Sequence, residues 1–544
     1  MNTKTRKIRN ARIIATDIFM LIAVIAIVFI MMLIAMGFSF TNNGRIEQSG
    51  LVEISSRPSS AKVTIDGKEL FSATEVNKLL ETGDHDIKIT KTGYDTWNST
   101  IHVEAGLTTT IDWVRLFPLN PEISNVDTYD TIPVIANVSN SRRSIAVAED
   151  GATSFSILNL QDEKLKEVTK IKFQDLLGPL GENETAAKAN DFKLIDWSAN
   201  DTRILLTHQK GEKLEWIIVN TTDPTKSINL SKTFEKDFAD LLFVNDSATN
   251  LWALTTNGDL SELNTNSSNT STSLIATNVK KMVNNGDTVI YIAPNKEEVV
   301  FDNNQTTTQT NATEGERVAT DKIFVYNEGE TASTAIVDLG STDANPILDT
   351  GTYWSKDWLV YNLDNKLIVR KGHYPIYNKT QDSDFPIIKE TELEFTPSLA
   401  THNSDQRIIL AADGAQVYTY DVIYTTEKTY QSDIELTSIN WLDDFLYWQN
   451  KDNTIVVRDF NGDNRRELLN NVISNMPIKI SENNRYLYFF TSEENPMTTQ
   501  QESTSETTET TENAETTETT ETTEQAQTTT RTIYHLTREK LNIQ

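Results

Sequence analysis

The chain has 544 residues, no cysteine, and 49 Lys and Arg against 78 Asp and Glu, a formal net charge of −29. That length holds two or three domains, and the lack of cysteine excludes a thiol-linked lipid anchor, thiol catalysis and Cys-based zinc sites. So acidic an exterior repels phosphate backbones and anionic lipid, so nucleic acid is not an expected partner. Residues 1–17 run against the trend, with Lys4, Arg6, Lys7, Arg9 and Arg12 against Asp17. Ile18 to Phe38 then gives 21 residues without a charge, rich in Ile, Met, Leu, Val and Ala. At about 1.5 Å per residue a helix of that length spans roughly 30 Å, one bilayer core. The basic residues before it and the near-neutral stretch after it (Arg45 and Glu47 only) predict a cytoplasmic N-terminus and an extracellular bulk. A signal peptide cut near Ala35-Met36-Gly37 is the competing reading, but its apolar core would be shorter. The expected bounds are a basic tail over 1–12 and a transmembrane helix over 13–40.

Residues 41–118 predict a small β-module. Val63 and Ile65 share one strand face, and Lys62, Thr64 and Asp66 take the other. Asp66-Gly67 is a hairpin signal, because glycine accepts the positive φ such turns need. Ile87 and Ile89 alternate with Asp86, Lys88 and Thr90, and further strands are expected at Ile101–Val103 and Thr108–Leu116. Ser72-Ala73-Thr74-Glu75 reads as a capping box before Val76, Leu79 and Leu80, which predicts a short helical turn. Pro58-Ser59-Ser60-Ala61, Ile65-Asp66-Gly67, Thr82-Gly83-Asp84-His85 and Gly93-Tyr94 occur in the order typical of the PEGA domain, a small β-sandwich of bacterial and archaeal surface proteins. The module resembles that family over about 65 residues, with Ser59, Ser60 and Thr82 where the family has Glu, Gly and Pro. The resemblance implies a non-catalytic surface module, in which His85 is expected as a structural turn residue.

Residues 119–544 change character after Phe117-Pro118-Leu119-Asn120-Pro121. Strand pairs recur, each led by a polar turn: Ser141–Ala148 with Ser154–Leu158, Trp197–Leu206 with Glu215–Val219, and Leu242–Val244 with Asn250–Leu254. Later come Trp358–Tyr361 with Lys366–Val369, Asn403–Leu410 with Gln416–Tyr420, and Ile439–Trp448 with Thr454–Arg458. The turns starting at Ser141, Ser198, Ser404 and Asp443 are spaced by multiples of a blade-sized repeat, which predicts a β-propeller of seven or eight blades. Two stacked β-sandwiches are the alternative. Trp197-Ser198-Ala199-Asn200-Asp201 resembles the TolB-type repeat, and Leu446-Tyr447-Trp448 through Arg466 resembles a YWTD blade.

Thr498–Thr530 is nearly all Thr, Glu, Ser and Gln, with glutamate at every third place from Glu506 to Glu524. Such a tract cannot form a core and is expected to be disordered. It precedes Thr532–Leu536, so it reads as a long hairpin loop in the last blade, with Gln305–Thr313 as a smaller version. No His-Glu-x-x-His, Gly-x-Ser-x-Gly or phosphate loop occurs. Asp459-Phe460-Asn461-Gly462-Asp463 opens like a calcium loop but lacks its later ligands, and is expected as a turn within a blade. Asp443-Asp444 is a carboxylate pair of the kind a glycosidase uses only if brought together in space. No catalytic, metal or cofactor residue is assigned. The sequence predicts a mainly β, single-pass, non-enzymatic surface protein whose propeller head binds an envelope protein or glycan. A surface hydrolase with carboxylates in the propeller channel is the alternative.

Overall fold

The computed structural model describes residues 3–541, except 36–37, 41–45, 164–165, 180, 182–184, 246, 248, 267–269, 295–319, 341–345, 375–388, 453, 471, 474 and 499–527. Gln305–Thr313, most of the Thr/Glu tract and the Met36-Gly37 cleavage position therefore lie outside the described residues. Helix α1 spans Thr3–Ala35, and its window Thr16–Leu33 has mean hydropathy 2.7 and no buried share. It is long and apolar enough to cross a membrane. It stops short of the expected residue 40, because strand β1 (Phe38–Phe40) finds main-chain partners in β2 (Ile46–Arg57).

Two four-stranded sheets follow. One joins β1 and β2 with β5 (Val76–Glu81) and β8 (Thr108–Arg115), and the other runs β4-β3-β6-β7. These last are β3 (Lys62–Ile65), β4 (Lys68–Ala73), β6 (Gly83–Thr90) and β7 (Thr96–Val103). The predicted alternation appears as burial: Val63, Ile65, Ile87, Ile89, Ile101, Val103 and Ile111 form one core with Val52, Ile54 and Trp97. Asp66-Gly67 makes the expected turn, with φ of 50° and 77°.

The helical turn expected after Ser72 is absent. Val76 pairs with Ile54 and Leu80 with Gly50 in an antiparallel ladder. Thr74 does not cap a helix; its Oγ1 lies 2.7 Å from Ser56 Oγ and accepts from Ala61 N. Pairing with β2 overrides the local capping pattern. His85 sits within β6 rather than in a turn, with Nδ1 2.7 Å from Asp66 Oδ2 and Nε2 2.8 Å from the Glu81 carbonyl.

Eight four-stranded antiparallel sheets complete the chain. Seven are continuous in sequence: Pro133–Lys172, Phe192–Asn229, Phe238–Ala276, Lys281–Gly340, Leu348–Leu393, Leu399–Gln431 and Asn440–Asn470. We number them blades 1 to 7. Blade 8 takes Lys479–Ile480, Tyr486–Thr498 and Thr528–Lys540 from the C-terminal end and β9 (Glu122–Tyr129) from the start of the region. β9 pairs from Glu122↔Lys540 to Tyr129↔Tyr534, and so closes the ring. The strand expected at Thr532–Leu536 therefore belongs to the last blade, as read from the sequence.

A blade has two faces, and neither can be left in water. Eight buried apolar clusters lie one at each blade–blade seam. Trp197 and Ile204 meet Phe155 and Phe173 between blades 1 and 2, and Tyr488 and Phe490 meet Ile145 and Leu158 between blades 8 and 1. Blade 4 was not among the strand pairs read from the sequence, because residues 295–319 separate its second and third strands.

Candidate functional site

The first strands of blades 1 and 2, and of blades 3, 4, 5 and 6 in turn, touch one another and line a central channel. In blades 1, 2, 6, 7 and 8 the first strand ends in a turn stapled by one polar side chain. Ser198 Oγ accepts from Arg203 N at 2.9 Å, and Asn403 Oδ1 accepts from Arg407 N and Ile408 N at 2.9 Å. Asp443 Oδ1 accepts from Phe445 N and Leu446 N at 2.9 Å, and Ser139 and Ser481 do the same in blades 1 and 8. This staple is the physical content of the repeat. It places the repeat start at Ser139 and Asn403 rather than at the expected Ser141 and Ser404.

These turns are bonded around the ring. Asn140 Nδ2 donates to Asp196 Oδ1 at 3.0 Å, Asn285 Nδ2 to Thr352 Oγ1 at 2.6 Å, and Asn403 Nδ2 to the Asp444 carbonyl at 2.5 Å. They surround a cavity of about 480 Å³ at the channel mouth. Its lining mixes the amides and hydroxyl of Asn140, Asn245, Asn284, Ser404 and Gln406 with apolar Val138, Phe243, Trp197 and Trp441.

The ionisable groups at the mouth have partners within the fold. Arg142 pairs with Asp444 at 2.8 Å, so the Asp443-Asp444 carboxylates are drawn to different arginines, Asp443 going to Arg115. His402 Nδ1 lies 3.0 Å from both Asp349 oxygens. Burial disfavours its charged form, but the Asp349 carboxylate outweighs that and raises the imidazole pKa. Among the described residues, Asp349 is the sole hydrogen-bond partner of the His402 ring, so no hydroxyl nucleophile stands against it. Burial raises Asp196 above the usual carboxylate range and depresses Lys479 to about 8; the Lys479 ammonium donates to the Trp441 carbonyl at 2.6 Å. Asp196 and His402 come from blades 2 and 6, which stand opposite in a ring of eight, and both line the cavity. Among the described residues no group of three or more His, Asp or Glu is placed to hold a metal ion.

The face that carries this mouth also carries the small module. It is docked against blades 6 to 8 rather than standing off as a stalk. Arg115 Nε donates to Asp443 Oδ2 at 2.8 Å, both side chains being almost fully buried, and a second nitrogen reaches Asn484. Burial opposes the charge on Asp443, but Arg115 and two backbone N–H groups hold its carboxyl below the ordinary range. Arg407 clamps Asp421 with Nε and Nη2 and reaches Asp112 of the module at 2.6 Å. Trp97 Nε1 donates to Asp459 Oδ2 at 2.7 Å, and Ser99 Oγ to Asp463 Oδ2 at 2.8 Å. The oxygens that suggested a calcium loop are thus used in docking. Burial pushes Asp459 up to about 6 despite Arg466 nearby. Gly462 is required in this turn, because its φ is 85° and a Cβ would meet the Tyr430 ring at 2.7 Å.

Residues 49–115 match the PEGA domain. No curated protein matches the chain. Among solved structures, the C-terminal WD40 domain of Sif2 is similar at 11% identity, over 68% of this chain and 95% of that one, with a TM-score of 0.40. Hsv2 of Kluyveromyces lactis is similar at 10% identity, over 67% and 94%, with a TM-score of 0.34. The tricorn protease is similar at 12% identity over 71% of this chain but 38% of that one, with a TM-score of 0.36. The eight-bladed propeller is read from this chain's own sheet order and ring closure, and these likenesses add nothing on function. The docking seam had no single sequence signal, since Trp97 and Asp459 are 362 positions apart.

Proposed function

We propose that this is a non-enzymatic, membrane-anchored cell-surface binding protein. Residues 18–38 anchor it, residues 1–12 lie in the cytoplasm, and everything after residue 40 is extracellular. Residues 41–118 form the PEGA module, and 119–544 form the head, which takes an envelope protein or glycan at its channel mouth. The observation that carries this reading is the mouth itself: a cavity that carries amides and whose ionisable groups are paired inside the fold. Catalysis of hydrolysis would need a general acid and base within reach of one bond; Asp196 and His402 belong to opposite blades, and each is bonded within the fold, to Asn140 and to Asp349. The five Lys and Arg residues before Ile18, against Arg45 alone just after Phe38, support the orientation.

Affinity capture with the full chain in lipid nanodiscs, against cell-envelope fractions, tests the binding role. An envelope component retained by the wild type and lost on Asn245→Gly is the expected result. Turnover of an envelope polymer by the same preparation would favour the hydrolase instead. Protease added to spheroplasts should remove residues beyond 50 and spare an N-terminal tag; a tag accessible from outside would reverse the topology.

A further inference from the structure

Blade 5 contains two two-residue hairpin turns of the same kind. Asp364-Asn365 joins Leu363 to Lys366 with φ of 51° and 62°, and Trp354-Ser355 joins Tyr353 to Lys356 with φ of 49° and 57°. Positive φ at both central positions favours Asn, Asp and Gly. The first turn obeys this preference and the second does not. A bulky residue at positive φ is a genuine outlier, and such outliers gather where function requires them. Nothing in the fold repays the strain, because the Trp354 side chain projects into solvent and is 73% exposed. Its ring lies 5.8 Å from that of Tyr353, at 31°, so the two make one aromatic surface.

That surface stands on the rim of the channel mouth. Thr352 N donates to Gln406 Oε1 at 2.8 Å, and Gln406 lines the cavity. On the other side Asn285 holds the Thr352 hydroxyl. The turn is thus fixed between blades 4 and 6 while its tip stays free. The neighbouring cavity is lined by the amides of Asn245, Asn284 and Gln406 and the hydroxyl of Ser404.

We infer that Tyr353 and Trp354 form a stacking platform for pyranose rings, and that the ligand is a neutral polysaccharide whose hydroxyls meet the amides of the mouth. This rests on the channel mouth being the binding site. The C–H face of a pyranose is flat and apolar and lies well on an aromatic ring, while its edge offers hydroxyls that both donate and accept, as amides do. A polyanion would be repelled by a head of this net charge. A protein hot spot would set its aromatic in a fully desolvated pocket, whereas Trp354 stands in solvent at the edge of a cavity that carries amides and hydroxyls.

The test is titration of the full chain in nanodiscs with cellohexaose, chitohexaose and maltohexaose, following tryptophan fluorescence and heat. At least one should bind. Replacing the turn by Trp354→Asn with Ser355→Gly should weaken that binding at least tenfold and raise the melting temperature, because the new residues suit the turn. A gain in stability with lost binding separates a ligand platform from a structural turn. Unchanged affinity in the turn variant, or binding of none of the three, overturns the inference. Loss in the turn variant but not in Asn245→Gly keeps the platform and removes the mouth reading. Loss in Asn245→Gly alone keeps the mouth and overturns the platform.

Discussion

Blade meets blade mainly through carbon, and the PEGA module meets the blades mainly through charge and hydrogen bonds, with Trp113 packed edge-on against Phe460. The eight inter-blade seams are lined by Ile, Val, Leu and aromatic side chains, and such contacts are non-directional and scale with area. The module's seam is set by Arg115–Asp443, Arg407–Asp112 and the Trp97–Asp459 hydrogen bond. Buried ion pairs add little net stability over apolar replacements, yet removing one partner is costly. The difference teaches that area holds the ring together, while the module's seat is fixed by matching specific partners.

The largest effect should come from breaking the ring. Truncation after Met497 removes Thr528–Lys540 and leaves β9 with no partner and Tyr488 and Phe490 beside an open edge. Loss of the cooperative melt and aggregation at micromolar concentration are expected; a soluble, fully cooperative truncation would mean the ring does not depend on closure. Next is the charged seam. Arg115→Met strands a buried Asp443 and should cost about 3–5 kcal/mol in chemical denaturation, with part of it recovered in Arg115→Met/Asp443→Asn, which removes the stranded charge and keeps an acceptor for Phe445 N and Leu446 N. Equal losses in the single and double variants would make this seam apolar in character.

The third effect sharpens the comparison by pH. Burial raises Asp405 and Asp459 to about 6 and Glu539 to about 7. A carboxyl raised on folding binds more protons in the native state, so its unfavourable burial is relieved as pH falls through the folded value. The melting temperature should therefore rise from pH 8 to pH 5, before acids held low, such as Asp443 and Glu215, begin to lose their contribution. Glu539→Gln should flatten the upper part of that rise, by about 3 kcal/mol at pH 8; an unchanged profile would remove Glu539 from the account. The smallest effect is expected at the Thr/Glu tract. Thr498 pairs with Thr528 across its ends, so replacing 499–527 by Asn-Gly should leave stability unchanged or raise it by at most about 2 kcal/mol, since each doubling of loop length costs about 0.6 kcal/mol. A marked fall would give the tract a structural role.

Much of this was written locally. Val63, Ile65, Ile87 and Ile89 alternate because one face of their sheet is buried, and Ser198 and Asp443 stand out because each staples a turn before an apolar strand. Ser72–Glu75 misled because its helix-capping pattern is local while Val76 and Leu80 answer to β2. The channel mouth was not legible, since its lining comes from seven blades, one to four residues at a time, spread between Val138 and Lys479. Trp354 carried a signal that went unread: tryptophan and serine where two alternating strands leave room for only two turn residues.

One consequence of the closing strand concerns mechanics. The peptide that leaves the PEGA module at Phe117 becomes β9, so tether and clasp are the same piece of chain. A ligand tugging on the head of an anchored molecule would load the clasp first if the module were a loose bead. Arg115, Arg407 and Arg466, which bind the module to blades 6 and 7, divert that tension into strands away from the closure. The charged seam then serves as strain relief for the ring.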